Sequence, residues 1–257
     1  MHAICRSKGL LRIAAASAAL LCAGAASAGE QPQAQAYEVD AGFDAAPQSL
    51  YWYSEGIVAL NRDIGKDGFL LRTYGSLAVY QYPGPLDTGD TINGQLWQLD
   101  VMPGYQIVRG ASTLGGYVGF DYQESSLQPD DPTNPLRGTA TGVKVEGHYY
   151  FDDYTQPLDV SLVGEYSTAF DTYYAELRLG ARVWDKLFIG PDASVDGDTG
   201  YNAQRLGGYA KYTLELSKGA PVELTLVGGH QFVPGADPQG FGGGEGPYGT
   251  LEISTNF

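Results

Sequence analysis

The chain has 257 residues, with 15 Lys or Arg against 30 Asp or Glu and two cysteines. This excess of acidic residues excludes a nucleic-acid partner, because binding to phosphates needs clustered Lys and Arg. Both cysteines, Cys5 and Cys22, precede residue 29, so a mature chain that starts there has neither disulfides nor thiolate metal sites.

The first 28 residues predict a cleavable signal peptide. A basic start is followed by an apolar run at 13–25 and by a small-x-small cleavage sequence at 26–28. The apolar run is too short for a membrane-spanning helix, which needs roughly 20 residues. A lipoprotein anchor on Cys22 is the alternative, but Leu21 stands where lipoprotein processing requires a small residue. We therefore predict a signal peptide at 1–28 and one domain at 29–257, which keeps 12 Lys or Arg against 30 acidic residues and a net charge of −18.

The mature chain is a series of alternating segments separated by Gly, Pro, Asp and Asn. In the segment 176–183, for example, charged side chains fall on one face and aliphatic side chains on the other. This period of two is typical of strands and is not produced by helices. About twelve segments reach the length of a tilted membrane strand, roughly 9–11 residues or more. The predicted strands cover 36–45, 49–61, 67–81, 92–108, 111–124, 138–151, 157–168, 171–184, 186–197, 202–217, 220–233 and 246–257.

The connections between these segments alternate in length. If the first strand leaves the periplasm, the outer connections include the long segments 81–91, 123–137 and 234–245. The periplasmic connections then include the tight turns at 109–110, 184–186 and 218–219. Short periplasmic turns with longer outer loops are typical of outer-membrane barrels, and an even strand number returns both ends of the sheet to the periplasm.

A period of two also fits a soluble β-sandwich or a lipocalin-like barrel, in which the apolar face points inward. Full charges on the polar face favour the membrane barrel, since a dry core holds charges only as pairs. The last apolar row ends on Phe257 and resembles the sequence by which barrel-assembly machinery recognises its clients, so we predict Phe257 as an assembly signal. Aromatic residues near strand ends match the girdles at the two membrane interfaces: Tyr51, Trp52, Tyr53, Trp97, Tyr149, Tyr150 and Trp184. The prediction is an all-β, transmembrane antiparallel β-barrel of about 12 strands in the outer membrane.

The alternation assigns polar side chains of both signs to the lumen wall. Proteins hold neutral glucans by stacking sugar faces on aromatic rings, and Tyr74, Tyr174 and Tyr209 fall on the inward face. The alternative is that the charges pair across neighbouring strands and make the barrel rigid. The lumen-lining candidates are Arg72, Tyr74, Lys144, Glu146, Glu176, Arg178, Arg205, Tyr209 and Lys211.

An enzymatic role has little support in the sequence. Glu146, Glu165 and Glu176 could supply the two carboxylates of a glycosidase, but carboxylates are common in barrel interiors. His148 or His230 could act with a serine, as in outer-membrane lipases, yet no nucleophile motif accompanies them. We therefore predict no enzyme, no catalytic residue and no cofactor.

The predicted outer loop at 129–138 carries the polar residues Asp130, Asp131, Asn134 and Arg137. Calcium takes six to eight oxygen ligands of this kind. The loop lacks the spaced acids, the glycine and the terminal Glu of a calcium loop. A rigid proline-containing turn, in which Asp and Asn side chains bond their own backbone, is favoured, and no metal site is predicted.

Several stretches carry a family resemblance, in order along the mature chain: Val58–Gly65, Asp67–Arg72, Gly104–Gln106, Gly119–Gln123, Pro129–Gly138, Tyr166–Tyr174, and Gly240–Phe241 to Gly249–Thr250. They resemble the cellulose biosynthesis proteins called BcsS, found in alphaproteobacteria. The resemblance implies an outer-membrane protein associated with cellulose synthesis gene clusters, and it implies no catalytic residue.

The hypothesis is an outer-membrane barrel that accompanies cellulose biosynthesis and aids secretion or surface organisation of the glucan. Its expected partners are outer-membrane lipids, the barrel-assembly machinery, the glucan and other cellulose-secretion components. The alternatives are a structural or docking barrel without conductance, a general small-solute porin, and a lipid- or glucan-modifying enzyme.

Overall fold

The described part of the chain is a closed antiparallel barrel. The computed structural model describes residues 34–84, 89–153, 155–217, 220–234 and 243–257. Each strand pairs with its neighbours along the chain, and the first strand pairs with the last. The strands are β1 (Tyr37–Ala46), β2 (Ser49–Ala59), β3 (Gly68–Pro83), β4 (Thr91–Arg109), β5 (Ser112–Gln128), β6 (Gly138–Phe151), β7 (Leu158–Ser167), β8 (Tyr173–Trp184), β9 (Leu187–Gly197), β10 (Asn202–Ser217), β11 (Ala220–Phe232) and β12 (Gly246–Asn256). The predicted all-β barrel of about 12 strands is confirmed, whereas the predicted signal peptide, 1–28, lies outside the described residues.

The two faces of the sheet have opposite chemistry. Large apolar side chains on the outer face are exposed, among them Leu99 at 57%, Phe120 at 55% and Leu206 at 60%. Charged side chains of the same strands point into the lumen, as Asp100 and Arg205 do. A closed sheet leaves no unpaired edge, and an apolar outer belt around a polar interior is the surface of a membrane barrel.

Helices do not contribute a membrane crossing: in the ranges that the structure describes, none is long and apolar enough to span a bilayer.

The barrel ends differ in their connections. Two-residue turns at 110–111 and 185–186 lie at one end, which we name the periplasmic end by the rule that short turns face the periplasm. The nine-residue loop 129–137 lies at the other, outer end, which also has one two-residue turn, at 47–48. The connection 60–67 at the periplasmic end has eight residues and is longer than predicted, because β2 stops at Ala59 and β3 starts at Gly68.

Phe257 lies at the seam where β12 meets β1. Its backbone N–H donates to the Tyr37 carbonyl oxygen at 2.9 Å, and its ring stacks on Tyr37 with centroids 5.6 Å apart. These contacts fasten the end of β12 to the beginning of β1. The assembly role predicted for Phe257 stays a prediction.

Two inward glycines, Gly180 and Gly190, allow close packing where β8 and β9 meet. A Cβ at Gly180 would overlap the Tyr209 hydroxyl, and a Cβ at Gly190 would overlap the Leu179 carbonyl oxygen. The Tyr209 side chain crosses this gap and donates to Asp159 Oδ2 at 2.5 Å. Glycine at 190 is thus required by the close approach of the β8 backbone.

We expect Gly190→Ala to lower the free energy of unfolding by about 1–3 kcal/mol, because the added methyl group forces the β8 backbone to move. The measurement is urea unfolding of the refolded protein in lipid vesicles, followed by tryptophan fluorescence. Gly164→Ala is the matched control, since a Cβ there meets nothing within 4 Å. Equal unfolding midpoints for the two variants would contradict the steric account.

Candidate functional site

The lumen contains a cavity of about 580 Å³ that all twelve strands line. The residues around it include 14 Asp or Glu, four Arg or Lys and 11 tyrosines. Its size falls in the range of about 300–1,000 Å³ that is usual for ligand pockets. The strongly negative wall disfavours anionic ligands, while hydroxyl-rich neutral molecules find both hydrogen-bond acceptors and aromatic rings.

One ion-pair cluster, the Arg72 cluster, joins five strands across the lumen. The Arg72 guanidinium has Nε 2.5 Å from Glu55 Oε2 and Nη1 3.2 Å from Glu146 Oε2. Lys144 Nζ lies 3.0 Å from Asp100 Oδ2 and 2.9 Å from Glu165 Oε2. The cluster consists of Arg72, Lys144, Glu55, Asp100, Glu146 and Glu165. Because Arg72 is on β3 while Glu146 and Glu165 are on β6 and β7, these side chains cross the interior.

A second group, the Arg178 cluster, consists of Arg178, Glu176, Asp192 and Glu252. Arg178 on β8 makes a two-pronged contact with Glu252 on β12, with Nη1–Oε2 at 2.6 Å and Nη2–Oε1 at 2.8 Å. It also donates to Asp192 Oδ2 at 3.0 Å and to Glu176 Oε1 at 2.8 Å. Because β8 and β12 are four strands apart in the sheet, the Arg178–Glu252 bridge also crosses the lumen.

Two further cations brace the wall nearer its ends. Arg205 on β10 contacts Asp44 on β1, with Nη1–Oδ2 at 3.1 Å. Lys211, also on β10, contacts Asp159 on β7 at 2.5 Å and Asp152 at 2.9 Å. The Arg205–Asp44 and Lys211–Asp159 pairs join strands that are not neighbours in the sheet, and Asp152 directly follows β6.

The structure places all nine candidate wall side chains on the inward face of the barrel, but their surroundings differ. Lys144 is 1% exposed and Tyr209 is 3% exposed, so these two support the wall and offer little surface to a ligand. The three carboxylates of the glycosidase alternative each pair with a cation: Glu146 with Arg72, Glu165 with Lys144 and Glu176 with Arg178.

The aromatic girdle prediction was wrong at three positions. Tyr51, Tyr53 and Tyr150 point inward and line the cavity. Trp52, between two of them, points outward and packs on Phe43. Successive side chains of a strand face opposite sides, so a run of three consecutive aromatics divides between lipid and lumen.

The outer loop 129–137 folds inward over the barrel mouth. Asp131 is 1% exposed; it accepts hydrogen bonds from the Tyr82 hydroxyl at 2.9 Å and from the Thr133 backbone N–H at 3.0 Å. Burial raises the pKa of the Asp131 carboxyl, but the hydrogen bonds from Thr133, Tyr82 and Asn134 together hold the pKa below its ordinary value. Asn134 donates to the same Tyr82 hydroxyl at 2.8 Å, and the buried Leu136 next to it lines the cavity.

The remaining two loop candidates stay outside. Arg137 Nη2 lies 2.6 Å from Asp130 Oδ2 in an exposed ion pair. The acids and the amide of the loop are thus engaged partly within the loop and partly with Tyr82 on β3. No group of three or more His, Cys, Asp or Glu in the described ranges is arranged to hold a metal ion.

The long periplasmic turn 60–67 also folds toward the lumen. Gln106, inward on β4, donates from Nε2 to the Ile64 carbonyl oxygen at 2.5 Å and to the Lys66 carbonyl oxygen at 3.0 Å. The Ile64 side chain packs on the buried cluster that includes Met102 and Tyr117. Sequence reasoning missed this cap, because the turn has few apolar residues and only Ile64 signals an inward contact.

Several solved outer-membrane proteins are similar to this chain. An outer membrane channel from Pseudomonas putida F1 is 15% identical, with a TM-score of 0.50 over 91% of this chain and 98% of the channel. The translocator domain of the autotransporter NalP from Neisseria meningitidis is 10% identical, with a TM-score of 0.45 over 96% of this chain and 95% of the domain. The KdgM porin is 10% identical, with a TM-score of 0.41 over 86% of this chain and 99% of the porin. The likeness to the first protein shows the outer-membrane barrel fold alone.

The sequence itself identifies the family. No curated protein matches the chain. A family model described as cellulose biosynthesis protein BcsS matches residues 40–257, which cover the barrel from within β1 to the end of β12. The resemblance noted in the sequence is confirmed, and the chain belongs to the BcsS family of cellulose biosynthesis proteins.

Proposed function

We propose that this protein is an outer-membrane accessory component of cellulose biosynthesis that is exported through its cleaved signal peptide. It aids secretion or surface organisation of the glucan by holding a short glucan segment in the lumen. The observation that carries the proposal is the cavity of about 580 Å³, lined by tyrosines and carboxylates, in a member of a cellulose biosynthesis family.

The chemistry of the wall suits a neutral polyol. Carboxylate oxygens accept hydrogen bonds from hydroxyl groups, and tyrosine rings offer apolar faces for the C–H side of a sugar. A wide water-filled pore needs an unobstructed lumen, whereas here Leu136 and Ile64 enter the cavity from its two ends. The role is binding and organisation of the glucan, with no catalytic step, and the cations paired with Glu146, Glu165 and Glu176 support that assignment.

A binding measurement tests this function. Calorimetric titration of the refolded protein in detergent with cellohexaose should give saturable binding, at least about tenfold tighter than with maltohexaose, because the two oligomers present their ring faces and hydroxyls differently. Protein unfolded in urea is the control for non-specific heats. Absence of cellohexaose binding, or equal binding of both oligomers, would overturn the proposal.

Deletion of the gene tests the proposed function in cells. Cellulose output at the cell surface should fall, or its location should change. Complementation with the intact chain should restore the wild-type pattern. If the amount and location of cellulose stayed unchanged, the proposed role in cellulose biosynthesis would be wrong.

A structural or docking role without conductance is the second candidate. The bridges from Arg72 to Glu146 and from Arg178 to Glu252 favour it, because both occupy the lumen cross-section and tie distant strands together. In that role the protein anchors secretion components in the lipid bilayer and no solute passes. Single-channel conductance in a planar bilayer separates it from a general small-solute porin.

A further inference from the structure

The three inward tyrosines predicted to stack on sugars have different surroundings. Tyr74 has Tyr53 stacked on it, with centroids 5.9 Å apart, and the charged atoms of Arg72 and Lys144 lie 5.0 and 4.9 Å from its ring centroid. Tyr209 is 3% exposed and its hydroxyl is bound to Asp159. Neither ring has a face left for a ligand.

Tyr174 differs from both. It is half-buried, lines the cavity from β8, and has no aromatic or cation–π partner in the described part of the chain. Its direct cross-strand neighbours are Glu165 on β7 and Asp196 on β9. Tyr174 therefore presents a polarisable ring face to the cavity, beside the carboxylates of Glu165 and Asp196.

Asp196 provides a second and independent observation. Its side chain is 29% exposed, yet Oδ1 is inaccessible to water and accepts no hydrogen bond from the described residues. Oδ1 faces Arg205 Nε at 3.7 Å, which leaves the other carboxylate oxygen, Oδ2, as the exposed one. Neither carboxylate oxygen accepts a hydrogen bond from the described residues, and Oδ2 is the one that a hydroxyl group in the cavity can reach.

The charges around this carboxylate decide between ligand classes. Arg205 also contacts Asp44 at 3.1 Å, and Thr250 donates to that carboxylate at 2.7 Å. The Arg205 guanidinium lies between Asp44 and Asp196 and offsets their negative charge, so the site attracts a free cation less strongly. Asp196 Oδ2 can still accept a hydrogen bond. A hydroxyl donor fits this local balance better than a cation does.

We propose that Tyr174 and Asp196 form a sugar subsite, in which the Tyr174 ring stacks on the face of one glucose residue of a neutral β-glucan and Asp196 accepts hydrogen bonds from its hydroxyl groups. The inference rests on the proposed glucan-binding function and names the residues that carry it.

The test is cellohexaose titration of Tyr174→Leu, Tyr174→Phe and Asp196→Asn in the refolded, full-length mature protein. Tyr174→Leu should weaken binding about tenfold, since a stacked aromatic ring contributes up to that much. Tyr174→Phe should stay within about twofold of the wild type, because the ring is retained. Asp196→Asn should weaken binding about fivefold, because a charged acceptor is replaced by a neutral one. Tyr212→Leu, on the exposed outer face of β10, is the matched control and should bind as the wild type does.

The outcomes separate the two levels of inference. All variants must show the heat-dependent gel shift of a folded barrel before titration. If the wild type binds cellohexaose and Tyr174→Leu binds equally well, the subsite is wrong while the glucan function stands. If the wild type does not bind, the function itself fails. If potassium ions compete with cellohexaose at Asp196, the site is a cation site and the sugar assignment is overturned.

Discussion

Replacing Arg72 with methionine should lower the free energy of unfolding of the barrel by about 3–5 kcal/mol, the cost expected when one partner of a buried ion-pair network is removed. The Arg72 side chain is 4% exposed and contacts four carboxylates, of which Glu55, Asp100 and Glu146 lie within 3.3 Å. After the substitution Lys144 is the one cation left in the Arg72 cluster. The variant therefore leaves several carboxylates in the lumen with like charges beside them.

Urea unfolding of the refolded protein in lipid vesicles measures this effect. The matched control is Arg109→Met, because Arg109 pairs with Asp67 in an exposed contact at 2.7 Å and is itself 68% exposed. Exposed ion pairs add little to stability, so the control should keep the wild-type midpoint. The network would have no structural role if Arg72→Met and Arg109→Met unfolded at the same urea concentration.

The strand pattern could be read from the sequence because each strand obeys one local rule. Along 176–183 charged residues alternate with aliphatic ones, with Gly180 as the one exception on the charged face, and β8 extends over Tyr173–Trp184. Inward charge and outward apolar side chains follow from the same rule, since the lumen and the lipid impose opposite solvents on the two faces. The family, too, was accessible, because its motifs lie along the whole barrel.

The partners within the lumen were not accessible from the sequence. Alternation shows that Arg178 points inward. It does not show that Glu252, 74 residues away, accepts its hydrogen bonds. Such pairs depend on barrel closure, which brings β8 and β12, four strands apart in the sheet, within reach of each other across one narrow space. The inward folds at Leu136 and Ile64 also depend on closure, since the loops are mostly polar and the sequence does not show that Ile64 turns inward while Leu60 stays exposed.

Tyrosine was the least predictable residue type. It has an apolar ring and a polar hydroxyl, so it fits both the membrane interface and a wet lumen. Only the register separates Tyr51 and Tyr53, which face the cavity, from Trp52, which faces the lipid. The distinction between an engaged ring such as Tyr74 and an unengaged ring such as Tyr174 needs the full set of neighbours.

Removing the Arg178 bridge should change conduction. In a planar bilayer, Arg178→Ala should raise the single-channel conductance at least about twofold above the wild type, because the side chain that links β8 to Glu252 across the lumen is lost. The current should also be carried by cations in both proteins, since 14 Asp or Glu and four Arg or Lys line the cavity. The variant removes one of those four positive charges, so its preference for cations over chloride should increase.

Reversal potentials in a potassium chloride gradient measure the preference, and step sizes in symmetric salt measure the conductance. Arg109→Ala serves as control, because it removes a positive charge from the exposed periplasmic rim and leaves the lumen intact. Equal step sizes for the wild type, Arg178→Ala and Arg109→Ala would mean that the Arg178–Glu252 bridge does not obstruct the lumen. Silence in the wild type with steps in Arg178→Ala would instead favour the docking role, since the bridge would then act as the closure that keeps an otherwise continuous lumen shut.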